Sequence, residues 1–307
     1  MNLSAANSEP YYQFHRRNEE LNRTMRITVA GLAFVRQQKR TSEGPTKLPT
    51  DGEPFGNNLW NNPGGSVLPA KKFVAQMGVA HIVTLLEDFC VGIKAEHDRF
   101  AAFSGKAIPP STTAEDIVNG LSPKALYAQL QFRKDVMDSV EPLYDYFVKV
   151  RNCVVHRSGR VSKELNAYAT NAKLLACVTE WKGPRGKKLP PLPPVAFDDE
   201  LALLPRHAIL ASEVCRKIAM DANDQLVRFL GEQGMIFMAA YHSLLSEKPI
   251  LTAARNTAQA VLNYIATDRY RIGIATRDEA VQVLSKIGRW KPYLRKFERL
   301  KQAGRFS

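Results

Sequence analysis

Residues 141–156 read Glu141-Pro-Leu-Tyr-Asp-Tyr-Phe-Val-Lys-Val-Arg-Asn-Cys-Val-Val-His156, followed by Arg157-Ser-Gly-Arg160. An ideal helix turns about 100° per residue. On that wheel Phe147, Val150 and Val154 fall within roughly 40° of Leu143, which predicts a helix with one core-facing stripe. Ser158-Gly159 supplies its stop. Relative to Leu143, Arg151 points about 80° away, Asn152 about 180° and His156 about 220°. Asn152 and His156 form an i, i+4 pair opposite the core, and Val148 and Val155 fall between Arg151 and His156. An outer face with apolar residues is ordinarily covered. Either another helix of the same chain covers it or the same helix of a second copy does. The second arrangement places two Arg/Asn/His sets beside one two-fold axis.

Outward from this helix, helical spacing dominates and strand-like alternation is scarce. Residues 11–38 predict a helix. Residues 41–69 hold five Gly, five Pro and four Asn among 29 residues and read as a loop or linker. From Ala70 to about Ala102, Val79, Ile82, Val83, Leu86, Cys90 and Ile93 recur at helical spacing, with Gly78 and Gly92 as weak points. A short helix is expected over 113–119, and another opens at Ser122-Pro123. Pro142 is expected just inside the start of the 141–156 helix. A helix from Val161 to Trp181 is broken near Asn171.

Residues 183–195 carry five prolines in thirteen positions and must be extended. Their basic-x-x-Pro-x-x-Pro pattern reads as a stiff spacer or as a ligand for an aromatic groove. Helices then follow from about Leu204 to Leu245, with interruptions at Gly231 and Gly234, from Thr252 to about Thr267, and from Thr276 to Lys301 with a break at Pro292. The expected architecture is all-α: an N-terminal helical segment (1–40), a linker (41–69), a helical bundle (70–246) with the Pro-rich insertion, and a basic C-terminal helical segment (247–307).

The chain has 307 residues, 45% hydrophobic and 24% charged, which fits a folded protein and excludes wholesale disorder. Lys plus Arg number 43 against 30 Asp plus Glu, a net charge of +13 that favours a polyanionic partner, nucleic acid first. No apolar run is expected to span a bilayer, and the N-terminal residues lack the basic start and apolar middle of a secretory signal, so the chain reads as cytoplasmic with no membrane partner. Cys90, Cys153, Cys177 and Cys215 stand singly in apolar helical contexts and read as buried free thiols. No histidine spacing suggests a metal site and no Gly-rich loop suggests a nucleotide, so neither metal nor cofactor is expected. His81 and His97 read as helix-surface residues, and Glu87 as a solvated charge or one half of an ion pair.

Imidazole titrates near neutral pH and can move a proton to or from a ribose 2′-hydroxyl. Guanidinium is always charged and grips phosphate with two donors. Arg151, Asn152 and His156 are therefore sufficient parts for RNA cleavage without a metal, although Arg-x-x-x-x-His is common. The stretch Val150 to Gly159 resembles the signature of the HEPN superfamily: Arg, a polar residue, a few more residues, then His near the end of a long helix. The upstream helix containing His81, Glu87 and Asp88 is similar to the acidic first helix of several members.

The resemblance covers roughly residues 72–232. It implies a four-helix bundle, a homodimer with an active site shared between protomers, and endoribonuclease action by 2′-oxygen attack. His156 would be the acid/base, Arg151 the phosphate clamp and Asn152 the orienter. Members commonly serve in phage defence or toxin–antitoxin pairs, which makes an antitoxin or regulatory protein a possible partner. Some members are non-catalytic binding modules, so an RNA- or protein-binding module is the alternative.

Lys286 to Ser307 carries eight Lys or Arg against one acid, Glu298, with Trp290, Tyr293, Phe297 and Phe306 interleaved. Two readings stand. Lys291, Arg295, Lys296 and Arg299 bind RNA phosphates while the aromatics stack on bases, or the aromatics dock the helix and leave a solvated basic face.

Overall fold

A computed structural model describes residues 1–38, 63–106, 120–181, 190–250 and 257–305. The chain is all-α. Among these residues the only β pairing is two isolated bridges, Asn2 with Gly273 and Arg160 with Glu200. The helices are α1 (Glu9–Gln38), α2 (Pro63–Ser104), α3 (Pro123–Leu130), α4 (Asp135–His156), α5 (Lys163–Tyr168), α6 (Ala172–Glu180), α7 (Pro205–Ala240), α8 (Ala258–Tyr264), α9 (Glu279–Lys286) and α10 (Trp290–Gln302). Wider π-type turns continue α7 over Tyr241–Leu245 and α8 over Ile265–Arg269. The helix expected over 113–119 lies outside the described residues.

Several boundaries differ from the sequence expectation. Helix α2 begins at Pro63, inside the stretch read as linker, because Pro is tolerated in a first turn. Helix α4 begins at Asp135, so Pro142 lies in its interior. Met137 and Val140, both 2% exposed, extend the buried stripe backwards and hold the helix through the proline. Pro292 sits in the first turn of α10 instead of breaking it. The break before α10 comes from Gly288, at φ 70°. Helix α7 kinks at Gly231 (φ 57°, ψ −168°), one of the two expected interruptions.

The chain divides into two compact units that do not follow chain order. One comprises Arg17–Leu85 and Asp138–Arg216. Its core includes Val79, Ile82, Leu143, Phe147 and Val150, all fully buried. Gly78 is required there by contact: a Cβ would lie 2.7 Å from Met25 Sδ and 2.9 Å from Ala208 Cβ, where α1, α2 and α7 converge. Ser212 Oγ donates to Asn18 Oδ1 at 2.7 Å and accepts from Asn22 Nδ2 at 2.9 Å, joining α1 to α7. Asn171 caps α6, which produces the break expected near that residue.

The other unit comprises Met1–Arg16, Leu86–Met137 and Lys217–Ser307. Phe89, Cys90, Ile93, Leu126, Ile218 and Leu262 are in its core. The Gln225 side chain exchanges two hydrogen bonds with the Arg133 backbone, at 2.7 and 3.0 Å. Tyr127 donates to Asp221 at 2.6 Å, and burial with this partner pushes its phenol far above the usual range. All four cysteines are buried free thiols.

The expectation that no apolar stretch suits a bilayer needs correction. Val67–Ser104 of α2 is long and apolar enough by length and composition to cross one, and half of its most apolar window is buried inside the protein. A core helix satisfies the same criteria.

Candidate functional site

Helix α4 delivers the three residues singled out in the sequence to its last six positions. Asn152 and His156 are exposed, and Val155 beside them is 55% exposed. Arg151 is half-buried and its Nε is shut off from solvent. Tyr144 explains the difference. It falls near roughly 100° on the helix wheel and is only 2% exposed, so the buried arc of α4 reaches past Arg151. Asn152 and His156 thus share one open face, and Arg151 flanks the buried one. Within one chain the Arg and His directions differ by about 140°.

Past His156 the chain reverses at Ser158 (φ 52°) and Gly159 (φ 80°). Gly159 N–H donates to Cys153 O at 3.0 Å, closing the helix end. Glycine is needed there for its left-handed backbone, and a Cβ would also meet Gln76 Nε2 at 2.6 Å. The following residues pair with 198–201: Leu201 N–H donates to Gly159 O and Val161 N–H to Asp199 O. Arg157 meets the Asp198 carboxylate at 3.2 Å, and Arg160 donates to the Asp198 carbonyl at 3.0 Å. Lys72 pairs with Glu200 at 2.8 Å. Arg157 and Arg160, the first two cations past α4, are thus both met by the Asp198 carboxylate.

In the same unit His207 anchors the end of the Pro-rich segment. Leu204 N–H donates to its Nδ1 at 3.0 Å, which leaves Nε2 to donate to Pro191 O at 3.1 Å. Burial lowers the imidazole pKa and keeps it neutral. Lys187 and Lys188 lie outside the described residues.

The second candidate surface is α10. Tyr293 and Phe297 are buried, and Tyr293 Oη lies 3.0 Å from Ser243 Oγ. Trp290 stacks on Tyr293, with centroids 5.8 Å apart. Tyr293 and Phe297 thus dock the helix on the protein, while Trp290 stays half-exposed; Phe306 lies outside the described residues. Lys291, Arg295 and Arg299 are exposed, and Lys296 is half-buried.

Sequence reading missed two features of the second unit. His97, expected at the surface, is 6% exposed and stacks on Phe229 with centroids 4.0 Å apart; burial lowers its pKa. A signal existed, because His97 continues the 79–93 stripe at i+4 from Ile93. His242 Nε2 lies 3.0 Å from Glu96 Oε1. Glu96 is 2% exposed, and burial raises its pKa. No local pattern links residues 146 positions apart.

Among the described residues, no three His, Cys, Asp or Glu cluster as a metal set. A groove of about 570 Å³ between α1 and α2 is lined by Arg17, Met25, Phe73, Met77 and His81, and none of the α4 trio lines it. No family model, curated protein or solved structure matches the chain.

Proposed function

We propose that this protein is a HEPN-like, metal-independent endoribonuclease that cleaves RNA by 2′-oxygen attack and works as a homodimer in the cytoplasm. Phage defence or a toxin–antitoxin pair is the setting the resemblance suggests, with an antitoxin as a regulatory partner. One observation carries the reading: the outer face at the end of α4 presents Asn152 and His156 to solvent around an open valine. An exposed imidazole can accept the 2′-hydroxyl proton or protonate the leaving 5′-oxygen. A guanidinium can neutralise charge developing on the phosphate. Because Arg151 and His156 diverge on one helix, the active pair is built from Arg151 of one protomer and His156 of the other.

Cleavage of labelled RNA in EDTA tests this. His156→Ala and Arg151→Ala should each lose about 100-fold or more in rate. A substrate with a 2′-deoxy residue at the cut site should survive. Co-refolded, the two inactive variants should regain about a quarter of wild-type activity. Half of the dimers are then mixed, and each mixed dimer holds one complete site. Undiminished cleavage by both single variants would overturn the assignment.

The partial burial of Arg151 favours a second reading, a non-catalytic helical module that binds RNA or a partner protein. That reading expects no cleavage by the wild type and RNA affinity unchanged by His156→Ala.

A further inference from the structure

The eight cations from Lys286 to Arg305 stand on α9, α10 and the turns around them. Seven are exposed and Lys296 is half-buried. Among the described residues none of the eight forms an ion pair; Arg289 lies 4.9 Å from the Phe103 ring centroid and Lys301 6.0 Å from that of Phe297. Glu298, the one acid of the stretch, is exposed and likewise unpaired among the described residues. A surface helix ordinarily balances its charges at i, i+3 and i, i+4. Here Lys291, Arg295 and Arg299 follow one another at i, i+4, i+8, a ridge of like charges that rises about 6 Å per step. The ridge repels itself, and an extended polyanion is the ligand that relieves this repulsion.

The buried side of α10 narrows the choice of polyanion. Tyr293 and Phe297 are committed to the core, and Trp290 to Tyr293. Tyr293 and Phe297 offer no face to a base, Trp290 is half-buried with Tyr293 stacked against it, and among the described residues of α10 only one large apolar side chain, Leu294 at 38%, is exposed. Backbone phosphates remain as the matching partner.

We infer that the α9–α10 surface is a docking face for the phosphate backbone of nucleic acid, with Lys291, Arg295 and Arg299 as its central contacts, indifferent to base sequence and to strandedness. The inference does not depend on cleavage at α4.

Fluorescence anisotropy with the full chain tests it. The probes are a 2′-O-methyl RNA 20-mer, which resists 2′-oxygen attack, the same strand in a duplex, and a DNA duplex. Wild type should bind all three within about threefold of one another, with affinity falling steeply between 50 and 200 mM salt. The triple variant K291Q/R295Q/R299Q should fold normally by circular dichroism, lose at least about tenfold in affinity, and flatten the log–log salt slope by about two to three.

Wild-type affinity in the triple variant would overturn the inference. So would tight binding of single strands with none of duplexes, which signifies base stacking. Capture by phosphatidylserine vesicles without RNA binding would assign the face to a membrane instead. Cleavage at α4 with unchanged binding by the triple variant would remove this inference and leave the nuclease reading standing; the converse result would do the opposite.

Discussion

The end of α4 and the ridge of α10 are both helical, exposed and rich in cations, and they differ in how those cations are accompanied. Past His156, Arg157 and Arg160 are engaged by Asp198, and Lys72 meets Glu200. On α10 no carboxylate answers Lys291, Arg295 or Arg299 among the described residues. The undersides differ as well. Leu143, Tyr144, Phe147, Val150 and Val154 bury α4 along a broad arc that draws in part of Arg151, whereas Tyr293 and Phe297 anchor α10 and leave most of its cations outside. Net charge alone would treat the two regions alike. Compensation separates a region whose electrostatics serve local structure from one whose electrostatics face outward.

The largest expected effect concerns the anchors. Phe297→Ala should cost about 3–5 kcal/mol in urea unfolding and weaken RNA binding, because the ridge loses its platform. Val155→Ala on the open face of α4 should change stability by less than about 0.5 kcal/mol. Equal midpoints for the two variants would break the contrast.

The helix stops come next. Gly159→Ala and Gly288→Ala both force alanine to positive φ and should each cost about 1–2 kcal/mol. Gly159→Ala should be the costlier, since Gln76 must also swing aside, whereas a Cβ on Gly288 meets nothing within 4 Å.

Acid should act on one buried imidazole in each unit. His207 and His97 have pKa values lowered by burial from the ordinary 6.5. Between the folded value and 6.5 the unfolded chain binds more protons, so stability is full above that range and falls as pH drops through it. A thermal-melt series from pH 8 to 5 should show this decline. His207→Gln should flatten it and lower stability at pH 8, where the neutral ring's contacts to Leu204 and Pro191 matter most.

The smallest effect is the sharpest probe of compensation. Asp198→Asn removes an exposed charge pair at a positive-φ position (φ 64°) that Asn tolerates, and should shift stability by at most about 1 kcal/mol. It should slightly strengthen RNA binding by releasing Arg157, while Arg160 keeps its bond to the Asp198 backbone carbonyl. The corresponding change on α10, Glu298→Ala, should leave stability nearly unchanged, because no ion pair is lost there.

The helices with long stripes were legible from spacing. Val79 to Ile93 and Leu143 to Val154 are buried as their periodicity requires, and Gly159 and Asn171 mark ends that their conformational preferences dictate. Pro63 and Pro142 misled in opposite ways: composition made one part of a linker and the other a helix start, although the first opens α2 and the second lies in the interior of α4. At the candidate site the sequence located Arg151, Asn152 and His156 on one helix and placed Asn152 opposite the core. It did not show that Tyr144 widens the buried arc to include part of Arg151.

Sequence alone determined that the chain is helical, where most of its stripes run, and that its C-terminus is strongly basic, because these follow from nearest-neighbour geometry and charge. Tertiary structure decided which aromatics of α10 turn inward, which cations keep carboxylate partners, that His97 is sealed against Phe229, and that Glu96 meets His242. Those outcomes depend on contacts between residues far apart in the chain, and desolvation and pairing act only once folding has brought such residues together.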